Sequence, residues 1–502
     1  MNVKDKPSWT VLLLGGGLFL LLMIWTGSRT SALSPVLPHQ EILSTDSGHP
    51  GSSLSSRPSI AATAPFTLYL PAIFRPPEPV TPNDTYYSAY QWNLRQIEAP
   101  LGWALSTGSN GVVIAVLDTG VDLTHPDLQG KLVAGYDFIN NDSNPSDDQG
   151  HGTHVAGIAA ALSNNSRGIA GVSWGARIMP VKVLGADGTG PTSGIANGII
   201  WATDHGADVI NLSLGGSSSS ATLQDAVNYA YNQGVLVVAA AGNWYQQGNP
   251  VIYPAAYPHV VAVAATGDQN EHAYYSETGY YVDVAAPGGN PTGSNDNNAN
   301  HWILSTYWRG AGYGDYLWVV GTSQATPHVA GLAALVWSVK PSLTNDQVEQ
   351  LIENTAVDLG TPGRDDVFGY GRIDVYAALS RAQTTSALPV RRMTAPPGSQ
   401  PAPAAAVSAT RLPLRTPSLS ETAFVPGALL VKFRAGVSAA SATALLSRYP
   451  VQVTGEIAGL GVLRLSVPEG QEQELSRLLA QEPSIEYAEP DYYLYALSVP
   501  SR

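Results

Sequence analysis

The chain has 502 residues, a formal net charge of −14 and no cysteine. Its length allows about two to four domains and a large core, and an acidic chain without a long basic run argues against nucleic acid as a partner. The absence of thiols excludes disulfides, cysteine nucleophiles and thiolate-bound zinc.

Residues 1–32 place Lys4 and Lys6 before an apolar run over 11–25, VLLLGGGLFLLLMIW. This pattern reads as an export signal, and the run is shorter than the roughly 20 residues that span a bilayer. The expectation is a secreted protein from which this segment is removed; the alternative is an anchor that holds the remainder outside the membrane. Residues 33–80 are rich in Ser, Pro and Thr, lack periodicity and read as a disordered spacer.

Between 81 and 382, short β-branched runs alternate with helical patterns. Residues 112–117, 178–184, 209–214, 235–241 and 260–264 read as fully buried strands, and 193–205 and 221–233 as helices. Apolar strands alternating with helices predict an α/β domain with a mainly parallel sheet covered on both faces. Ligands then belong at the carboxyl ends of the strands. Asp118 stands at one such end in LDTG and Asn243 at another in AAAGN, while His151 opens the helical stretch GHGTHVAG. Ser323 lies in GTSQATPHVAG, a small turn feeding a helix, where unpaired N–H groups and the helix dipole favour developing negative charge. A nucleophilic serine needs a base, the base needs a carboxylate to orient it, and an amide can serve the oxyanion.

LDTG, GHGTHVAG, AAAGN and GTSQATPHVAG, in this order, resemble the subtilisin-like serine proteases of peptidase family S8, and the thermitase-like branch in particular. The resemblance implies a subtilisin-like three-layer fold and a serine endopeptidase of broad specificity acting through an acyl-enzyme. It implies Ser323 as nucleophile, His151 as general acid and base, Asp118 as the orienting carboxylate and Asn243 as oxyanion donor. Substrate is expected to add as a strand between Gly188, Thr189 and Gly190 on one side and Ser213, Leu214 and Gly215 on the other, with Gly242 also contacting it and Ile252 flooring the main specificity pocket. Gln324 stands where the family carries methionine, and glutamine forms no sulfoxide. Activity is therefore expected to survive dilute peroxide; rapid inactivation would contradict this. Residues 288–316 exceed what the family's core needs and read as a neutral surface insertion. His154 and His328 read as packed, hydrogen-bonded histidines, and Asp122 as a solvated turn carboxylate.

Calcium takes oxygen ligands, which suits a chain without thiols. The same resemblance implies one calcium site built from the Asp84, Asp127 and Asn165 side chains and the carbonyls of Leu162, Arg167 and Ile169. A second would use Asp137, Asp142 and Asn144, with Asn140 where that branch has another carboxylate.

Residues 383–423 form a Pro/Ala-rich linker, after which order returns over 424–497. Strands over 428–433, 451–457, 462–467 and 485–488, with helices over 439–448 and 471–480, give the β-α-β-β-α-β order of a small ferredoxin-like α+β domain. Its flanks, VPGALLVKF and IEYAEPDYYLY, resemble the propeptide of subtilisin-like proteases, of the inhibitor I9 type. In the family that module comes first; here it comes last. A flexible linker of about 40 residues reaches roughly 35 Å, so the module is expected to chaperone or inhibit its own catalytic domain, with residues 492–502 entering the cleft like a product. Polypeptide substrates and this module are the expected partners of a monomer. The rival readings are a catalytically silent surface-binding protein on the same scaffold and a non-protease serine hydrolase such as an esterase, whose Gly-x-Ser-x-Gly elbow is missing.

Overall fold

The computed structural model describes residues 76–293, 296–312, 314–385 and 423–497, all within one compact unit that begins at Ile73. The expected export signal, the spacer up to residue 75 and the linker from 386 to 422 lie outside the described residues.

Seven parallel strands form the central sheet. In chain order they are β1 (Val113–Asp118), β2 (Tyr136–Asp137), β3 (Arg177–Lys182), β5 (Val209–Leu212), β7 (Leu236–Ala240), β8 (Val260–Thr266) and β9 (Val284–Pro287). In space the order is β2-β3-β1-β5-β7-β8-β9. Two short strands outside this sheet, β4 (Thr189–Pro191) and β6 (Leu214–Gly215), flank the cleft. Because successive side chains point to opposite faces of a strand, Ile114 and Val116 enter one core layer while Val113, Ala115 and Leu117 enter the other. The first layer is covered by α1 (His151–Ala160), α4 (Thr322–Val339), α5 (Asn345–Thr355) and α6 (Val375–Thr384), the second by α2 (Thr192–Asp204) and α3 (Ala221–Asn232). The expected subtilisin-like three-layer α/β architecture is what the chain adopts. Its last helix runs two residues past the boundary expected at 382, and no described helix is long and apolar enough to cross a membrane.

The segment read as a neutral surface insertion is instead part of the site's support. It carries β10 (Ile303–Thr306), which pairs as a hairpin with β11 (Tyr316–Val319) at the segment's end and packs on the helix that begins at His151. Ser305 and Thr306 donate their hydroxyls to the carbonyls of His154 and Thr153 at 2.8 and 2.7 Å. Apolar residues in ILST alternate too briefly for the sequence to separate this hairpin from a loop.

The C-terminal module comprises β12 (Phe424–Phe433), α7 (Ala439–Leu446), β13 (Gln452–Ile457), β14 (Val462–Ser466), α8 (Glu472–Leu479) and β15 (Ile485–Ala496). Its antiparallel sheet has the order β13-β14-β12-β15. Leu429, Val431, Leu465, Leu475, Leu479 and Ile485 form its own core, while Leu430, Ile457 and Val462 join the core layer beneath α2 and α3. The module thus lies against those two helices. The strand expected over 485–488 runs eight residues further. Glu489, Pro490 and Asp491 break the apolar pattern, but the strand continues, and from Tyr493 on β15 exchanges its partner within the module for β4 and β6 of the catalytic part.

Candidate active site

The carboxyl ends of β1, β5 and β7 converge with the N-termini of α1 and α4. Asp118 closes β1, and its Oδ1 lies 2.8 Å from His151 Nδ1 with both side chains buried. Thr119 N also donates to that oxygen at 2.7 Å, which fixes the carboxylate's orientation. His151 Nε2 is buried without a hydrogen-bond partner among the described residues. Ser323 is the second residue of α4, and its Oγ donates to the carbonyl of Leu497, with Gln324 Oε1 at 3.1 Å as a further acceptor. Asn243 follows β7; its Oδ1 accepts from Thr322 N and Thr322 Oγ1, both at 2.9 Å, and its Nδ2 is thereby turned toward Leu497 O at 2.6 Å. Gly321 leaves room for this carbonyl. A Cβ there would stand 2.7 Å from Leu497 O and would need a φ of +153°.

The predicted substrate-binding residues surround the same segment. Tyr493, Leu494 and Tyr495 pair antiparallel with Pro191, Gly190 and Thr189, and Tyr495 and Ala496 pair with Gly215 and Leu214. Ala496 N donates to Gly188 O at 2.9 Å and Leu497 N to Ser213 O at 3.1 Å. Leu497 is buried against Ala240, Trp244 and Ile252. Gly242 adjoins this pocket, with its N–H donated to Thr322 Oγ1 at 3.1 Å. Two carboxylates of the module act at helix N-termini. Asp491 accepts from Ser193 N at 3.0 Å and Ser193 Oγ at 2.7 Å at the start of α2, and Glu489 accepts from Ser220 Oγ, Ala221 N and Thr222 N at 2.7, 2.9 and 3.0 Å at the start of α3. Such anions satisfy orphan N–H groups and favour the dipole.

Some supports were not recognised in the sequence. Asp147 is buried and accepts from Thr119 Oγ1, Gly150 N and Thr153 N at 2.9, 2.8 and 3.0 Å, tying the segment after Asp118 to the start of the His151 helix. Lys182 Nζ reaches Thr119 O, Leu184 O and Asp148 Oδ1 at 2.7, 2.8 and 2.6 Å from its buried position on β3. An acid four residues before the histidine was the available signal for Asp147. His154 and His328 are buried, with backbone acceptors at 3.1 Å (Leu317 O) and 2.8 Å (Gln324 O), and burial lowers their pKa values to about 3 and about 4. Both are neutral structural imidazoles. Asp122, expected to be solvated, is buried because the β10–β11 segment covers it; it accepts from Thr124 N and Oγ1 at 2.9 and 2.7 Å.

Of the two calcium sets, the first converges. Asp84 and Asp127 are both buried, and Asn165 Nδ2 lies 2.9 Å from both Asp127 Oδ1 and Leu162 O. Burial raises the Asp84 carboxyl above its ordinary range, and the Asp127 charge pushes the same way; a divalent cation relieves that repulsion. Ile169 N and Tyr316 Oη donate to Asp127 Oδ2 at 3.1 and 2.8 Å, and Arg167 N to Asn165 Oδ1 at 2.8 Å, so these residues form one cradle. The second set does not fit a closed site. Asp142 and Asn144 are exposed, and Asp137 already accepts from Ile139 N, Asn140 N and Asn140 Nδ2 at 2.7, 2.9 and 2.8 Å in its own turn. Among the described residues no group of three or more His, Asp or Glu side chains is placed to hold a metal, so the first cradle depends on carbonyls and an amide.

Residues 109–371 match the model of the subtilase family, more than half of the chain. The chain belongs to the subtilase family. It is 47% identical over 300 residues to thermitase of Thermoactinomyces vulgaris, covering 60% of this subtilase and 99% of thermitase. It is 46% identical over 300 residues to the thermophilic serine proteinase of Bacillus sp. strain AK1, covering 60% and 69% of the two chains. Among solved structures, a protease from Pseudoalteromonas arctica aligns with a TM-score of 0.55 at 39% identity, covering 60% of this subtilase and all of that chain. This subtilase is a serine endopeptidase by its family. Residues 413–491 match the fervidolysin N-terminal prodomain, so the C-terminal module is propeptide-like but not specifically of the inhibitor I9 type.

Proposed function

We propose that this subtilase hydrolyses peptide bonds through Asp118, His151 and Ser323, with Asn243 as oxyanion donor, and that its C-terminal module occupies the cleft as a tethered inhibitor. The observation that carries the reading is the Leu497 carbonyl, which lies against Ser323 Oγ and accepts from Asn243 Nδ2 at 2.6 Å, the donor that an oxyanion at this position needs. His151 removes the Ser323 proton and returns it to the leaving amine, while Asp118 holds the ring and stabilises the imidazolium. The developing oxyanion lies beside the first turn of α4, where unpaired N–H groups and the dipole assist Asn243. Strand addition to β4 and β6 binds extended peptide through its backbone, and the Leu497 pocket then selects the side chain before the attacked bond, P1. Apolar walls at Ala240, Trp244 and Ile252 favour leucine there. In a set of otherwise identical peptides, kcat/KM is expected to be about 100-fold higher for P1 leucine than for P1 aspartate, because the pocket desolvates that charge without a partner; equal rates would refute this assignment of the pocket.

Secretion accords with the expected export signal. Calcium in the first cradle supplies a cross-link between the Asp84 segment, Asp127 and the loop of Leu162, Asn165, Arg167 and Ile169. A cation bound only by the folded state stabilises it by mass action, so a chelator is expected to lower Tm by several degrees, with restoration by calcium. An unchanged Tm, or an equal loss in an Asp84→Asn variant, would remove this role from the cradle. The silent-scaffold alternative has no support, since Asp118, His151, Ser323 and Asn243 are all present in the chain.

A further inference from the structure

Glu277 lies between β8 and β9, fully buried, and is used by neither the triad nor the P1 pocket walls. Its Oε1 accepts from Trp244 N at 2.5 Å, and its own N–H donates to Gly242 O at 3.3 Å. These two bonds grip the backbone immediately after and immediately before Asn243. Gly242 has a φ of +121°, and a Cβ on it would stand 2.5 Å from Glu277 Oε2, so glycine is required for this approach. Oε2 has no hydrogen-bond partner among the described residues. A buried carboxyl with one oxygen unpaired costs stability, and such costs concentrate where function needs them. Burial holds the group well above the usual carboxylate range.

We propose that Glu277 is a positioning residue that fixes the turn of Gly242, Asn243 and Trp244 and thereby aims the Asn243 amide at the oxyanion. Thr322 holds the Asn243 side chain from the other direction, so backbone and side chain are secured by separate elements. The inference rests on Asn243 being the oxyanion donor. Misaiming a donor by a fraction of an ångström forfeits part of its transition-state contribution while leaving ground-state binding intact.

The test is a double-mutant cycle in the full chain, with the cleft opened by Leu497→Gly and a P1-leucine peptide as substrate. Glu277→Ala is expected to lower kcat about tenfold with KM changed less than twofold. Glu277→Gln, which keeps the acceptor for Trp244 N, restores most of the rate. In an Asn243→Ala background, Glu277→Ala has no further effect on kcat, because the group it positions is gone. If alanine impairs folding, Glu277→Met, similar in length but without an oxygen acceptor, gives the same readout. An equal kcat loss in both backgrounds, a rise in KM alone, or no loss at all overturns the proposal. An Asn243→Ala variant with undiminished kcat would overturn the oxyanion reading as well, which separates that failure from failure of the Glu277 role alone.

Discussion

In the full chain, Leu497→Gly raises the rate of hydrolysis of a small P1-leucine peptide by about 30- to 100-fold. The buried Leu497 side chain fills the pocket of Ala240, Trp244 and Ile252, and such burial contributes about 2–3 kcal/mol, where each 1.4 kcal/mol is tenfold. Tethering holds the module at a local concentration of about millimolar, so dilution does not relieve the inhibition but weakening the docked state does. Glu489→Gln with Asp491→Asn adds to the effect by removing charge-assisted bonds at the starts of α3 and α2. These variants keep the module in the chain, so a gain of activity reports release of the cleft. Initial rates under non-depleting substrate are the measurement; a rate unchanged in the triple variant means that the cleft is open in solution.

Asn243→Ala is the second large effect. Against a Leu497→Gly background it lowers kcat by about 10²–10³ with little change in KM, a size already measured for this donor in subtilisin and carried over to the present chain. The position is suited to that loss, because Asn243 Oδ1 is held by two bonds to Thr322 and its Nδ2 meets the carbonyl at 2.6 Å without further rearrangement. Ser323→Ala removes the nucleophile and leaves only residual hydrolysis, with the docked module retained. Steady-state kinetics separates the two changes; a raised KM at unchanged kcat would assign Asn243 to substrate binding.

The proposed catalytic groups each carry a local signature in the sequence. Asp118 ends a buried apolar run, His151 opens a helix after glycine, Ser323 is the second residue of another helix that follows glycine, and Asn243 lies three residues past an alanine-rich strand. Strand positions in the parallel sheet were similarly legible, since burial on both faces leaves continuous apolar runs. Contacts made across long sequence separations left weaker traces. β15 runs to Ala496 only because β4 and β6, about 300 residues earlier, supply its partners, and Pro490 within it is a residue that strands disfavour. Glu277 and Asp147 sit in polar loops whose composition predicts solvent exposure, and the β10–β11 hairpin conceals its packing role among Asn and Gly residues. The second calcium set lies on an open turn, where Asp142 and Asn144 are exposed and Asp137 accepts from Ile139 N and Asn140 N, so it lacks the burial of the first cradle.

The central claim is that Ser323 is the nucleophile of a cleft occupied by the chain's own C-terminal segment. Intact mass of the full chain, recorded through time with a fluorophosphonate in excess, tests it on wild type, Leu497→Gly and Ser323→Ala side by side. A single adduct that forms rapidly on Leu497→Gly, slowly on wild type and not on Ser323→Ala is the predicted result. Labelling of Ser323→Ala, or equal rates on wild type and Leu497→Gly, would contradict it.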